Sequence, residues 1–324
     1  MELKKIGLFT SGGDAPGMNA AVRAVVRTAL YYNLEVAGIM RGFDGMVKGE
    51  FLPMNRKSVA NIIQRGGTIL KTARSEEFKT KEGRKKAFEQ LHQNKIDALI
   101  GIGGDGTFTG MKVFMEEYDL PGVGLPGTID NDLIGTDFTI GYDTAINTVI
   151  NAVDKIRDTA ESHDRVFIVE VMGRDSGLIA LRSGIGAGAE AILIPETKTD
   201  VSALLSRLEK SRKDKSSKII IVAEGDEVTG AFELAETVKE KFPYLDTRVS
   251  VLGHIQRGGS PTCMDRVLAS RLGVAAVESL LEGRRGEMIG IVNGNIHFTP
   301  FKDAIKHISE ANPNLLKIVD ILSL

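Results

Sequence analysis

The 324-residue sequence has a single cysteine, which excludes a disulfide framework and any cysteine-based zinc site. No run approaches the ~18 consecutive apolar residues needed to span a bilayer. The opening MELKKIGLFTSGGD turns polar after too short an apolar run for a signal peptide, so a cytoplasmic protein without a membrane partner is expected. Neither sign of charge dominates. Lys and Arg total 41 against 43 Asp and Glu, a net charge of −2, which leaves no broad basic footprint for nucleic acid. His92, His163, His254, His297 and His307 include no H-x-x-x-H pair, so zinc is disfavoured again. The dipeptide Gly-Lys is absent, and with it the G-x-x-x-x-G-K phosphate loop. What the chain does have is glycine: 36 residues, about 11% against a usual ~7%. These glycines form short clusters after apolar runs.

Continuous apolar, β-branched runs fall at 5–10, 35–40, 97–102, 122–125, 166–172, 191–194, 219–224, 249–253 and 288–292. Such runs suit strands buried on both faces of a parallel sheet. Helical patterns lie between them. Over 19–32, Ala20, Val22, Val25, Val26 and Ala29 share a face, and over 144–159, Ile146, Val149, Ile150, Val153 and Ile156 do. This alternation implies an α/β fold of doubly wound, largely parallel sheets. Nine strands are many for one sheet, so two such domains are expected. The basic stretches 79–86 and 210–218 also carry acidic residues and read first as solvated surface.

In open α/β sheets ligands bind beyond the carboxyl ends of the strands, where the glycine clusters fall. Ser11-Gly12-Gly13-Asp14-Ala15-Pro16-Gly17 joins a strand to a helix, an arrangement that lets backbone N–H groups approach a phosphate. Gly101-Ile102-Gly103-Gly104-Asp105-Gly106-Thr107 matches G-x-G-x-x-G. Asp105, however, would repel a dinucleotide pyrophosphate and fits better as a Mg²⁺ ligand beside phosphate. Pro126-Gly127-Thr128-Ile129-Asp130-Asn131-Asp132 sets two carboxylates beside a hydroxyl, the parts phosphoryl transfer needs for a base and a metal-linked partner. In Gly253-His254-Ile255-Gln256-Arg257-Gly258-Gly259-Ser260-Pro261, His254 and Arg257 suit a phosphorylated sugar.

Together the tracts TSGGDAPGMNAAVR, RGGT, GGDGT, PGTIDND, IRDTAESHDR, VEVMGR, AEG and LGHIQRGGSPT resemble, in order, the bacterial ATP-dependent 6-phosphofructokinase family, nearly end to end and thinning after about residue 295. GGDGT alone also resembles the NAD and lipid kinases; PGTIDND and GHIQRGGSP separate the two. The resemblance implies transfer of the γ-phosphoryl of MgATP to the 1-hydroxyl of fructose 6-phosphate. It implies that Gly13, Arg74, Ser75, Gly104, Asp105, Gly106 and Thr107 bind ATP, with Asp105 on Mg²⁺ and Asp132 supporting it. Asp130 would be the base and Thr128 would orient the reacting groups, with Arg74 and Arg174 also catalytic. Thr128, Ile129, Asp130, Met172, Gly173, Arg174, Glu224, His254, Ile255, Gln256 and Arg257 would bind the sugar phosphate. Arg165 and Arg248 would reach its 6-phosphate from a neighbouring subunit of a homotetramer.

By the same resemblance, an effector site for ADP and phosphoenolpyruvate would use Arg23, Arg27, Arg56, Arg157, Gly188, Ala189, Glu190, Lys213, Lys215, Ser216 and Ser217. Relatives often carry further basic residues where Ser216 and Ser217 stand, which implies weaker anion binding. Phe43 stands where some relatives have tyrosine. The family pattern implies an ATP domain of 1–141 plus 256–306 and a sugar-phosphate domain of 142–255 plus 307–324, with the active site in the cleft. Two alternatives are a pyrophosphate-dependent enzyme and a non-catalytic nucleotide and sugar-phosphate sensor. Pyrophosphate users typically carry Asp at the position of Gly106 and Lys at that of Gly127. A sensor should have lost Asp105 or Asp130, and both are present.

Overall fold

A computed structural model describes residues 3–162, 165–197, 200–210, 218–225, 230–304 and 312–322. Among them the strands are β1 (Lys5–Thr10), β2 (Glu35–Ile39), β3 (Phe51–Met54), β4 (Ala98–Gly103), β5 (Gly122–Pro126), β6 (Arg165–Val171), β7 (Ala191–Leu193), β8 (Lys218–Ala223), β9 (Asp246–Val251), β10 (Glu287–Val292) and β11 (Asn295–Pro300). The helices are α1 (Met18–Tyr31), α2 (Phe43–Lys48), α3 (Lys81–Gln93), α4 (Asp105–Tyr118), α5 (Tyr142–Glu161), α6 (Leu178–Gly186), α7 (Val201–Lys210), α8 (Ala231–Lys241), α9 (Cys263–Leu281) and α10 (Pro313–Leu322). No helix of the described residues is long and apolar enough to cross a membrane.

The chain divides into two compact units, Met1–Thr144 with Arg257–His307 and Ala145–Gln256 with Ile308–Leu324. The sequence boundaries had been set at 141/142, 255/256 and 306/307. The first unit holds a seven-stranded sheet in the order β11-β10-β5-β4-β1-β2-β3, and the second a four-stranded sheet in the order β7-β8-β6-β9. All pairings are parallel except those of β3 with β2 and β11 with β10. In the first unit the chain winds outward from β1 to β2, then returns to lay β4 on the other side of β1. In the second, β6 is flanked by β8 and β9, so winding reverses there as well.

The nine runs anticipated in the sequence overlap β1, β2 and β4–β10; β3 and β11 were not anticipated. Both are antiparallel edge strands. Each contains a proline, which edges tolerate, and each has partly exposed positions rather than a continuous apolar run. Interior strands show why the apolar criterion works: in β1, Ile6, Leu8 and Phe9 are all inaccessible to solvent.

The core of the first unit is aromatic around α2, α3 and α4. Phe43 stacks on Phe78 at 4.1 Å, and Phe88 stacks on Tyr118 at 4.5 Å. In the second unit Val166, Ile168, Ile220 and Val222 pack with Leu204, Leu208, Leu234 and Val238. Arg84 ties α3 to α4 with a two-pronged bond to Glu117 (2.6 and 2.8 Å) and also donates to the carbonyls of Phe78 and Lys79. The hydrogen bond from Arg84 holds the Glu117 carboxyl below its ordinary value of 4.5. A carboxyl depressed in the fold stabilises it fully above its unfolded pKa, and that contribution disappears as pH falls through the folded value. Glu117→Gln should therefore lower the thermal midpoint at pH 7, and the gap to wild type should close as the pH is taken well below 4.5. A gap that stays constant with pH would show that the charge on Glu117 contributes nothing.

Candidate active site

The reversal of winding between β1 and β4 opens a crevice beyond their carboxyl ends. The loop after β1 and the end of β4 come together there. Ser11 N–H donates to the Ile102 carbonyl at 2.9 Å, and a Cβ on Gly103 would lie 2.6 Å from the Ser11 carbonyl and 2.2 Å from Thr107 Oγ1. Only glycine fits at that approach. α4 begins at Asp105, so its amino-terminal turn, where helices present N–H groups and partial positive charge, faces the same crevice. Thr107 Oγ1 is buried without a hydrogen-bond partner among the described residues. Gly106 is different from Gly103, because a Cβ there would meet nothing within 4 Å. Backbone, helix terminus and buried hydroxyl together present the kinds of donor by which an anion can be held.

β5 runs into the segment 127–132. Gly127 N–H donates to the Gly103 carbonyl at 2.9 Å, and a Cβ on Gly127 would begin 2.9 Å from Ile102 Cγ2. Thr128 is set next to the head of α4, with its Cβ 3.7 Å from where a Gly104 Cβ would stand. Thr128, Ile129 and Asp130 are buried; Asp130 is 3% exposed, and its N–H donates to Thr128 Oγ1. Asn131 has a φ of +51° and accepts Thr139 N–H at 2.7 Å, while Thr139 Oγ1 donates to the Thr128 carbonyl at 2.6 Å. Ile140 N–H closes the clasp on the Pro126 carbonyl.

Other residues build the rim of this unit. Arg74 is exposed; Ser75 is half-buried, and its Oγ accepts Phe78 N–H. Asn19, buried and overlooked in the sequence, donates to the carbonyls of Arg65 and Gly66 and accepts Ile69 N–H, fixing the RGGT turn. Arg257, assigned with His254 to the sugar phosphate in the sequence, belongs to this unit. Its guanidinium donates to the Asp14 carbonyl at 3.2 Å and lies 2.5 Å from the position of a Gly13 Cβ.

The second unit gathers its candidates at the carboxyl ends of β6, β8 and β9. Gln256, wholly buried, accepts Met172 N–H at 2.9 Å. Glu224 Oε1 accepts both Gly173 N–H and Arg174 N–H, so it organises a turn in which Arg174 takes a φ of +54°. His254 and Ile255 are exposed beyond β9. Arg165 is elsewhere, at the amino end of β6, a strand of seven residues that spans roughly 20 Å. Its partner is Asp246, which had no place in the sequence-derived set. Asp246 takes Arg165 Nε at 2.7 Å and Arg248 Nε at 2.9 Å, and these bonds, that of Arg165 first, lower its pKa.

The effector candidates are divided. Arg23 and Arg27 lie on α1, where burial and then the charge of Arg27 pull the Arg23 pKa down; Arg56 lies in the loop after β3. In the second unit Arg157 donates to the carbonyls of Ala187 and Gly188, close to Ala189 and to buried Glu190, which accepts Ile219 N–H. Lys213, Lys215, Ser216 and Ser217 lie outside the described residues.

The family model described as Phosphofructokinase matches residues 5–280. The chain belongs to the phosphofructokinase family. It is 56% identical over 322 residues to the ATP-dependent 6-phosphofructokinase of Cytophaga hutchinsonii, covering 99% of this chain and 98% of that one. The ATP-dependent 6-phosphofructokinase 1 of Thermus thermophilus is 55% identical over 323 residues, covering 99% of this chain and all of its own. Among solved structures, Saccharomyces cerevisiae phosphofructokinase superposes with a TM-score of 0.87 at 38% identity, over 98% of this chain and 46% of the yeast chain. The pyrophosphate-dependent phosphofructokinase of Marinobacter aquaeolei shares the fold, with a TM-score of 0.85 at 23% identity over 99% of this chain and 91% of that one.

Two glycines of this phosphofructokinase family member separate packing from ligand space. Gly103→Ala should destabilise by about 1–3 kcal/mol through overpacking against the Ser11 carbonyl. Gly106→Ala should leave stability unchanged or slightly raised, since alanine favours helix, while weakening nucleotide binding about tenfold or more by narrowing the cradle. Thermal midpoints and nucleotide titration measure both; equal destabilisation by the two substitutions would contradict the distinction.

Proposed function

We infer that this chain is an ATP-dependent 6-phosphofructokinase, transferring the γ-phosphoryl of ATP to the 1-hydroxyl of fructose 6-phosphate. The observation that carries the reading is the meeting of the α4 head with the 127–132 segment, Gly104 against Thr128, in a chain this similar to enzymes of that name. The first unit would hold ATP and the second the sugar phosphate.

Gly13, Gly104, Gly106 and Thr107 would take the nucleotide phosphates, through backbone N–H groups and the buried Thr107 hydroxyl. Asp130 would accept the proton of the sugar 1-hydroxyl as that oxygen bonds to the γ-phosphorus and the bond from the γ-phosphorus to the β–γ bridging oxygen breaks. Thr128 would keep Asp130 and the transferred group in line. Arg74, Ser75 and Arg174 would offset charge on the phosphoryl oxygens and hold the ends of the two substrates.

Among the described residues no group of three or more His, Cys, Asp and Glu side chains is placed to hold a metal. One or two carboxylates beside a phosphate cradle fit Mg²⁺, which keeps water and phosphate oxygens as its other ligands. Asp105 would hold it, with Asp132 supporting, and the ion would neutralise charge on the bound triphosphate. ATP is favoured over pyrophosphate by the open Gly106 and by the tight surroundings of Gly127, where a lysine would have to displace Ile102.

Met172, Gly173, Arg174, Glu224, His254, Ile255 and Gln256 would form the sugar side, and Arg257 would join them. A hexose phosphate is far shorter than the roughly 20 Å between the ends of β6. Arg165 would therefore serve this ligand from another subunit, and Arg248, which shares its partner Asp246, would go with it, in keeping with a homotetramer with shared sites. The Arg23 and Arg27 pair and the Arg157–Glu190 cluster fit the two halves of an effector site for ADP or phosphoenolpyruvate, likewise completed between subunits. A cytoplasmic location accords with these substrates.

Asp130→Asn should lower kcat by about 10²–10⁴ with little change in either KM; near-normal turnover would reject Asp130 as the base. Asp246→Asn should loosen the two arginines and raise the KM for fructose 6-phosphate about tenfold, the scale of one weakened charge-assisted contact, while the KM for ATP stays put. Equal changes in both constants would remove Arg165 and Arg248 from the sugar phosphate.

A further inference from the structure

One buried carboxylate has no part in the chemistry above. Asp265, on the first turn of α9, is 1% exposed, and no cation pairs with it among the described residues. Its partners come from more than a hundred positions away. Oδ1 accepts Gly141 N–H at 2.8 Å, and Oδ2 accepts Thr144 N–H at 2.8 Å and Thr144 Oγ1 at 2.5 Å. Thr144 Oγ1 in turn accepts Thr262 N–H, and Thr262 Oγ1 donates to Asp143. Burial above all, with the nearby charge of Asp143, leaves the Asp265 carboxyl above the ordinary range, although the bonds from Thr144 and Gly141 act in the other direction. What offsets part of that burial is hydrogen bonding from N–H and hydroxyl groups, not a salt bridge.

The segment Asp265 holds is the one that clasps the Thr128–Asp130 loop. Residues 139–144 form a short strap. At its front, Thr139 Oγ1 holds the Thr128 carbonyl, Thr139 N–H holds Asn131, and Ile140 N–H holds the Pro126 carbonyl. At its back Asp265 holds the strap through Gly141 and Thr144, and Thr262, three residues earlier on the cap of α9, bonds Thr144 and Asp143. The strap also passes the loop after β1 at close quarters: a Cβ on Gly141 would lie 2.7 Å from Ala15 Cβ, and one on Gly17 would lie 2.7 Å from Ile140 Cγ2 and 3.5 Å from Asp265 Cβ. α9, the strap and the phosphate-side loop therefore meet at this carboxylate.

We propose that Asp265 is a positioning residue for phosphoryl transfer: by anchoring the 139–144 strap it fixes Thr128 and Asp130 against the phosphate cradle without touching substrate. The catalytic half of this proposal rests on the functional reading given above; the structural half does not. An asparagine at 265 keeps the shape but turns an acceptor into an NH₂ donor facing an N–H group, which unties one end of the strap. The loop would then sample other positions, and misplacement of about 1 Å in reacting groups costs on the order of 10²-fold in rate.

The test uses full-length wild type, Asp265→Asn, and the milder Thr144→Val, which removes one of the three bonds to Asp265 together with the acceptor of Thr262 N–H and decides the matter alone should the first variant not fold. Amide hydrogen exchange is read at Asp130 and Thr139, which bond nothing on Asp265, with β2 as reference; kcat and both KM values are read in parallel. The expected result is exchange at Asp130 and Thr139 at least tenfold faster in Asp265→Asn, with β2 unchanged. With it goes a kcat loss of about 10–100-fold and KM values within about threefold. Thr144→Val should move the same way by less. Unchanged exchange at Asp130 and Thr139 in a folded variant overturns the proposal, and so does raised exchange with unchanged kcat. A wild type that phosphorylates no sugar phosphate would defeat the functional reading instead, and the exchange data would still judge whether Asp265 orders the loop.

Discussion

The carboxyl ends of β1, β4 and β5 approach one another more closely than side chains permit, and much else in the first unit is a consequence of that approach. Gly103 has the Ser11 carbonyl and Thr107 at contact distance, and Gly127 has Ile102. With Cβ atoms excluded, the surface facing the crevice is backbone, and backbone N–H groups are what bind phosphate without a lysine. The same closeness sets Thr128 beside the head of α4, with the buried carboxylate Asp130 two residues further on. The glycine clusters and the bare backbone of the crevice are thus two descriptions of one steric constraint.

A site assembled from loops needs something to hold the loops still. In this chain the work falls to side chains, most of them buried, that bond backbone N–H and carbonyl groups. Asn19 fixes the RGGT turn, Gln256 and Glu224 fix the 172–174 turn, and Asp265 fixes the strap behind the catalytic loop. A buried polar group left without its partner costs about 1–3 kcal/mol, so the bonds of buried Asn19, Gln256 and Asp265 strongly favour one loop arrangement over others. Asp246 performs a related task for charge, keeping two arginines from repelling each other while leaving both partly exposed.

How much of this could be taken from the sequence follows from the range of each interaction. Strands buried on both faces announce themselves as apolar runs, and the glycine clusters mark where those runs end; β1, β4 and β5 and the segments after them were accessible in that way. Edge strands such as β3 and β11 carry no such signature, because one side meets solvent. Asn19, Asp246 and Asp265 were passed over for another reason. Each acts on a partner made adjacent only by folding, 121 and 124 positions away for Asp265, and nothing in the local spacing of an aspartate or asparagine reveals it. The contact of the Arg257 guanidinium with the Gly13–Asp14 turn is of the same kind, made between residues more than two hundred positions apart.

The most direct measurement is a coupled assay of the purified chain with fructose 6-phosphate, comparing ATP with pyrophosphate as donor in the presence of Mg²⁺. Formation of fructose 1,6-bisphosphate with ATP, at least a hundredfold faster than with pyrophosphate, is the expected result for a cradle with an open Gly106, a difference of about 2.7 kcal/mol in barrier. Equal or faster turnover with pyrophosphate, or none with either donor, would contradict it.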